Sequence, residues 1–177
     1  MKFHPCHIPA DLLASSPLAR IDYADCYGAT LPATEDPPTV DRLARLFFSE
    51  AMPGWIRKLL DLRDRVAART GAGRDDWTSP DPSDPRPVAV GDRIGPWKVA
   101  SRSETEIVFL EKESHLDFAF SLRAVQAPEG TAILATTLVE FHGLPGKAYF
   151  LPVKPVHRLL VPRHMDSVLR AAMRAPT

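Results

Sequence analysis

Hydrophobic and polar positions alternate along the second half of the chain, which predicts a series of antiparallel strands. From Leu116 to Gln126, the side chains of Leu116, Phe118 and Phe120 fall on one face, and polar or small residues fall on the other. A period of two is typical of a sheet with one covered face. The same reasoning predicts strands over 97–101, 106–113 and 131–141, joined by short turns into a meander.

The first third of the chain predicts one strand followed by two helices. A first strand is expected within Arg20 to Leu31. Thr39 is a suitable N-cap for an amphipathic helix through Ala51. Helical spacing of apolar residues then continues from Pro53 to Arg69, and the glycines at 71 and 73 end it.

A helical period begins after the glycines of Gly143–Gly146 and runs to the C-terminal end of the sequence. On a wheel of about 100° per residue, one face is largely apolar but also carries two histidines. That face contains Tyr149, Phe150, Val153, Val156, His157, Leu160, Val161, His164 and Val168. Because interior prolines remove hydrogen bonds, Pro152, Pro155 and Pro162 predict a kinked or two-part segment that is regular from about His157.

These elements predict one α+β domain spanning 1–177, a usual length for one hydrophobic core. We expect an irregular lead-in over 1–19 and a C-terminal helical segment over 143–175. The stretch 78–87 is rich in proline, which predicts an exposed, polyproline-like loop.

Composition narrows the function classes. The formal net charge is +0, which disfavours a nucleic-acid partner. No stretch approaches the roughly 20 apolar residues that a membrane span requires, and the first ten residues lack a signal-peptide pattern. With only Cys6 and Cys26 there is no disulfide framework, so a cytoplasmic protein is expected.

Two histidines are the main candidates for chemistry. His157 and His164 are two helical turns apart near the middle of the apolar face, so both should point toward the sheet. One interpretation is a pair of core histidines bonded to strand groups; the other is ligand orientation or acid/base chemistry. Their separation of about 10 Å along the axis argues against a shared metal ion. Neither a metal site nor a cofactor is predicted, because the histidines and cysteines lack ligand spacing.

Four stretches carry a resemblance to a known family. Asp22–Asp25, Arg93–Trp97, His115–Phe118 and Pro155–Leu160 resemble, in order and spacing, the bacterial domain-of-unknown-function family 2867 from about Arg20 onward. The resemblance implies a fold similar to the START-like, or helix-grip, proteins. In that fold a curved antiparallel sheet wraps a long C-terminal helix, with two short helices after the first strand. The family implies no particular activity; helix-grip relatives include lipid carriers, ligand receptors, polyketide cyclases and dehydratases.

The leading hypothesis is a binding module that encloses an apolar small molecule or lipid between sheet and helix. Its predicted contacts combine aromatic and aliphatic walls with polar groups. These contacts are Trp97, Phe109, Phe118, Phe120, Tyr149, Leu160, His157 and His164. Two alternatives stay open: a cyclase- or dehydratase-like enzyme that uses His157 or His164 as acid/base, and an interaction or dimerisation protein with a filled core. The residues do not decide between monomer and homodimer.

Overall fold

A curved antiparallel sheet and a long C-terminal helix dominate the computed structural model, which describes residues 2–34, 37–49 and 80–174. In that part of the chain, seven strands and three helices follow one another in the order β1, α1, β2, α2, β3 to β7 and α3. Their bounds are β1 His4–Pro5, α1 Ala10–Ala14, β2 Tyr23–Pro32, α2 Val40–Ser49, β3 Arg93–Ile94, β4 Trp97–Arg102, β5 Glu106–Lys112, β6 Leu116–Ala127, β7 Gly130–Phe141 and α3 Gly143–Ala172. This is the predicted α+β architecture, consistent with a helix-grip-like fold.

The sheet places the first long strand beside the last. The strand order is β1-β2-β7-β6-β5-β4-β3, and every neighbouring pair is antiparallel. The meander from β3 to β7 follows the sequence, whereas β2 pairs with β7 over ten residue pairs, from Tyr23↔Val139 to Pro32↔Gly130. This pairing brings β2 next to the start of α3, and it sets the location of the candidate site.

The concave face of the sheet packs on α3 and α2 to form the main core. Alternate residues of β5, β6 and β7 supply this face, including the fully buried Phe109, Leu122 and Ile133. The helix contributes Val161, Met165, Val168 and Leu169. The alternation read from the sequence therefore predicts correctly which strand residues face the helix.

The convex face is covered by the N-terminal segment. Leu12 of α1 and Leu18 pack against Val108, Ala119 and Leu138, which point away from α3. The lead-in over 1–19 was expected to be irregular, and this is corrected: it contains β1 and α1. Only two apolar residues anchor so short a helix, which leaves no periodic signal long enough to read.

The helix α3 is unbroken, so of the expected kinked or two-part segment the two-part alternative is wrong. It begins at Gly143 and runs for 30 residues through all three prolines. Pro152 and Pro155 are exposed, as are Ala148 and Leu151, whose carbonyls those prolines leave without intrahelical donors. Water can satisfy these carbonyls, so the helix tolerates the prolines on its outer face.

The remaining predicted elements fall partly outside the described residues. The four strands of the meander begin and end within one residue of their predicted bounds. The first predicted helix is α2, whose N-terminal turn is capped by the Thr39 hydroxyl accepting from Arg42 N. The second predicted helix, 53–69, lies outside the described residues. Residues 80–87 of the proline-rich stretch contain no helix or strand, as expected.

Candidate functional site

A group of polar side chains lies between β2, β7 and the middle of α3. Tyr23, Asp25 and Tyr27 alternate along β2 and therefore share the concave face. Thr137 stands directly opposite Asp25 on β7, and His157 approaches from α3. We call these five residues the Asp25 cluster.

Asp25 is the centre of this group. The ring Nε2 of His157 lies 3.1 Å from Asp25 Oδ1, and the two side chains are 16% and 12% exposed. The Tyr23 hydroxyl donates to Asp25 Oδ2 at 2.5 Å. Both carboxylate oxygens are thus engaged, so Asp25 fixes the orientation of the imidazole and of the phenol together.

The electrostatics favour an ionised Asp25. Burial alone raises the pKa of this carboxyl, but the hydrogen bond and charge of His157 and the hydrogen bond from Tyr23 outweigh burial, and the net pKa is lowered. The pKa of Tyr23 is raised, first by burial and then by its hydrogen bond to Asp25. The cluster therefore pairs a carboxylate with a neutral phenol at physiological pH.

Thr137 is buried, and its hydroxyl makes no hydrogen bond of normal geometry within the described part of the chain, although it lies near enough to Asp25 to help lower the pKa of that carboxyl. The ring of His157 has its one hydrogen bond through Nε2, which leaves Nδ1 without a described partner. Buried polar groups are nearly always well satisfied, so a buried hydroxyl with so poor a hydrogen bond needs an explanation.

Two cations border the cluster at the protein surface. Arg158 Nε donates to the Tyr23 hydroxyl at 3.4 Å, and its guanidinium lies 6.0 Å from the ring centroid. The Lys154 ammonium is 5.2 Å from the same centroid. Arg158 is exposed and Lys154 is half-buried, so the outer end of the cluster is open to solvent and positively charged.

The predicted aromatic contacts lie in a different part of the interior. Trp97 is ringed by five phenylalanines, with centroid distances from 5.0 to 6.1 Å. These are Phe47, Phe48, Phe109, Phe118 and Phe120. Phe109 and Phe120 are fully buried, so this aromatic group is packed core. Phe118 links this aromatic group to the Asp25 cluster, because Phe118 also packs in a smaller apolar cluster with Tyr23 and Phe150.

The other predicted contacts do not join the Asp25 cluster. His164 is buried, and its Nε2 is 2.7 Å from the carbonyl oxygen of Phe47 in the last turn of α2. This contact joins the last described turn of α2 to α3. Tyr149 is partly exposed and packs on His115, with ring centroids 4.3 Å apart. Leu160 is half-buried. A ligand contact at these three residues stays a prediction.

An open pocket of about 360 Å³ lies elsewhere, between α2 and the proline-rich loop. Its charged groups already bind protein atoms. Arg45 donates to the Arg86 carbonyl at 2.5 Å, and Asp41 accepts from Val88 N and from Arg102. These contacts fasten the loop to α2, which makes the pocket a weaker candidate than the Asp25 cluster.

Among residues 2–34, 37–49 and 80–174, no three His, Cys, Asp or Glu side chains are grouped so that they could hold a metal ion. Cys6 and Cys26 lie side by side on β1 and β2, with Sγ atoms 2.8 Å apart. Burial and then the contact with Cys26 raise the pKa of Cys6 to about 12. A thiol that stays protonated is a poor ligand and nucleophile, which argues against Cys6 as a second site.

Sequence reasoning identified His157 but missed its partners. Tyr23 and Asp25 lie within the stretch Asp22–Asp25 that carries the family resemblance, and His157 lies within Pro155–Leu160. Two of the four stretches therefore meet in space. The alternation of β2 could have placed Tyr23, Asp25 and Tyr27 on one face, but nothing in the spacing links that strand to a helix more than 130 residues later.

No helix among the described residues has the length and hydropathy to cross a membrane.

Comparisons with known proteins agree with the family resemblance found in the sequence. No curated protein and no solved structure matches the chain. The profile of one family, described as "Protein of unknown function (DUF2867)", matches residues 17–164, most of the chain and all four stretches. The chain therefore belongs to the DUF2867 family.

Proposed function

We propose that the protein binds a small molecule with an apolar body and a polar head group, and that the head group is held by the Asp25 cluster. The observation that carries this proposal is a carboxylate that orients His157, whose Nδ1 has no described partner, beside a buried Thr137 hydroxyl that makes no hydrogen bond of normal geometry. A ligand that accepts from Thr137 and bonds His157 Nδ1 would satisfy both atoms.

The energetic cost of the cluster supports a role beyond packing. Replacing a buried ion pair by apolar side chains of similar volume is often neutral or stabilising, so such pairs are poor devices for stability alone. Here Asp25 and His157 both contact Tyr23, which packs with Phe150, Val139 and Phe118 in an apolar setting. Titratable groups brought together at such a cost are typical of binding and catalytic sites.

The surroundings favour a ligand whose head group is an anion, such as a carboxylate. Arg158 and Lys154 border the outer end of the cluster, and Arg158 uses only its Nε in the contact with Tyr23. Its terminal amines are placed for a bidentate contact with a carboxylate. The half-buried Phe118, Phe141 and Val153 would contact the apolar body.

Acid/base catalysis is a second candidate, and one observation favours it. Asp25 engages His157 Nε2, which selects the tautomer with its proton on Nε2 and a lone pair on Nδ1. A histidine oriented by a carboxylate is the arrangement that general bases use. A dehydratase-like reaction would need only this base and an acid such as the Tyr23 hydroxyl.

The binding test uses 8-anilinonaphthalene-1-sulfonate, which has an apolar body and an anionic head. We expect its fluorescence to rise on binding, and Arg158→Ala or His157→Ala to weaken binding by about tenfold, as the loss of a charge-assisted hydrogen bond implies. Arg163→Ala is the matched control, because Arg163 donates to its own helix at Leu159. Equal affinity of all three variants and the parent protein would contradict a site at the Asp25 cluster.

Native mass spectrometry of protein purified from its own host tests the same proposal without a chosen probe. An added mass that denaturation removes would establish a carried ligand. If His157→Asn carries a species heavier by one water than the parent protein does, the catalytic alternative gains over binding. Bare protein in every preparation would argue for an interaction protein with a filled core.

A further inference from the structure

The outward face of the first half of α3 is an apolar surface that no described residue covers. Leu144 is 79% exposed, Leu151 is 74% exposed and Leu159 is 46% exposed. On a wheel of 100° per residue they fall within a stripe about 80° wide, together with Ala148 and Pro155. We call these five residues the α3 ridge.

The charge around the ridge is of one sign. Lys147, Lys154 and Arg158 run along one side, and Arg163 lies on the other. No Asp or Glu occurs between Gly143 and Met165. Lys147 interacts electrostatically with Asp22, which is already bound by Arg20 and the amide of Phe141. In a chain of zero formal net charge, a segment with four cations and no anions is a strong local asymmetry.

We propose that the α3 ridge docks on an anionic lipid surface, with the leucines entering the headgroup region and the cations contacting lipid phosphates. An exposed apolar face flanked by Lys and Arg is the pattern of helices that lie in the plane of a membrane interface. Each cation near an anionic membrane surface contributes about 1 kcal/mol, and the leucines add the second signal that stable anchoring requires. The five ridge residues do not belong to the Asp25 cluster, although Lys154 and Arg158 border both, so the docking is tested at Leu144, Leu151 and Lys147, which lie outside the cluster.

A protein partner fits the ridge less well. From Leu144 to Leu159 the helix rises roughly 22 Å, and a ridge about 10 Å wide offers roughly 220 Å². A stable protein interface buries about 800 Å² on each partner, several times more. A second copy of this chain would also bring the same cations together across a two-fold axis, and like charges repel.

Vesicle co-sedimentation tests the docking. We expect the protein to sediment with phosphatidylcholine vesicles that contain phosphatidylglycerol, and to stay in solution with phosphatidylcholine alone or at high salt. The double variant Leu144→Ser/Leu151→Ser should bind at least about tenfold more weakly, since it removes the inserted apolar surface. Lys147→Gln should weaken binding about fivefold, as the loss of one surface cation implies.

Matched controls separate this proposal from the ligand site. Val90→Ser alters an exposed apolar residue outside α3 and should leave sedimentation unchanged. Binding of 8-anilinonaphthalene-1-sulfonate should be the same in the double variant and the parent protein. Absent sedimentation, or equal sedimentation of parent and double variant, would overturn the proposal. So would a parent dimer in gel filtration that the double variant converts to a monomer, because the occupant would then be a second copy.

Discussion

Two glycines occupy positions where a side chain would collide with a neighbouring element. Gly95 turns the chain between β3 and β4 at φ +59°, and a Cβ there would lie 2.5 Å from Phe48 Cδ1. Gly146 lies in the first turn of α3, where a Cβ would collide with the backbone carbonyl oxygen of His115. Backbone, unlike the end of a flexible side chain, cannot move aside. Gly146 therefore sets how closely α3 approaches the turn between β5 and β6.

Gly146→Ala should destabilise the protein even though alanine favours helix by about 1 kcal/mol over glycine. The steric cost outweighs that gain, and we expect a net loss of about 1–3 kcal/mol in the free energy of unfolding, measured by urea denaturation. Ala148→Gly, two residues further along the exposed side, should cost about 1 kcal/mol from propensity alone. A more stable Gly146→Ala variant would mean that α3 can shift away from His115.

At the scale of elements, the sequence predicted the strands well because each carries its own signal. Alternation fixes which residues of β5, β6 and β7 face the helix, and no distant contact is needed to read it. The continuity of α3 was missed because proline was weighed without knowing that the freed carbonyls face water. The Asp25 cluster was missed because it depends on the pairing of β2 with β7, which no local pattern specifies.

Acid should remove the stabilising contribution of Asp25, which joins β2 to His157 of α3. The pKa of Asp25 is lower in the folded protein than its ordinary value of about 3.9. Its contribution is therefore complete above about pH 4 and is lost as the pH falls through the folded pKa. Asp25→Asn should cost about 1–3 kcal/mol near neutral pH, and less at about pH 3.

Urea denaturation of the variant and the parent protein at both pH values measures this difference, and subtraction removes the effect of other carboxyls. Glu129→Gln, in the exposed turn after β6, is the control and should show no difference at either pH. A penalty for Asp25→Asn that is the same at both pH values would show that the negative charge of Asp25 does not contribute to stability.

For the molecule as a whole, the N-terminal segment acts as a third layer on the convex face. Salt bridges of Arg123 with Asp11 and Glu106 join α1 to β6 and β5, both at 2.8 Å. Glu140 of β7 accepts from the amides of Ala19 and Arg20, which holds the approach to β2. The sheet is thereby covered on both faces.

Leu12→Ala should destabilise the protein by about 2–4 kcal/mol, because Leu12 is 1% exposed between α1 and the sheet. Leu13→Ala is the matched control: its side chain is 39% exposed one residue later on the same helix, and it should cost less than about 1 kcal/mol. Thermal unfolding followed by circular dichroism measures both. Similar losses for the two variants would mean that α1 does not pack on the sheet as described.

The pairing of β2 with β7 also has a consequence for the order of folding. Tyr23 and Val139 are 116 positions apart, and closing so long a loop carries an entropy cost that neighbouring hairpins do not carry. The hairpins of β4 to β7 can form from contacts close in sequence, whereas β2 must wait for a partner at the far side of the meander. Because Asp25 belongs to β2 and His157 follows β7, their pair should form in one of the last steps. A kinetic intermediate that already contains the meander would then lack the Asp25 cluster.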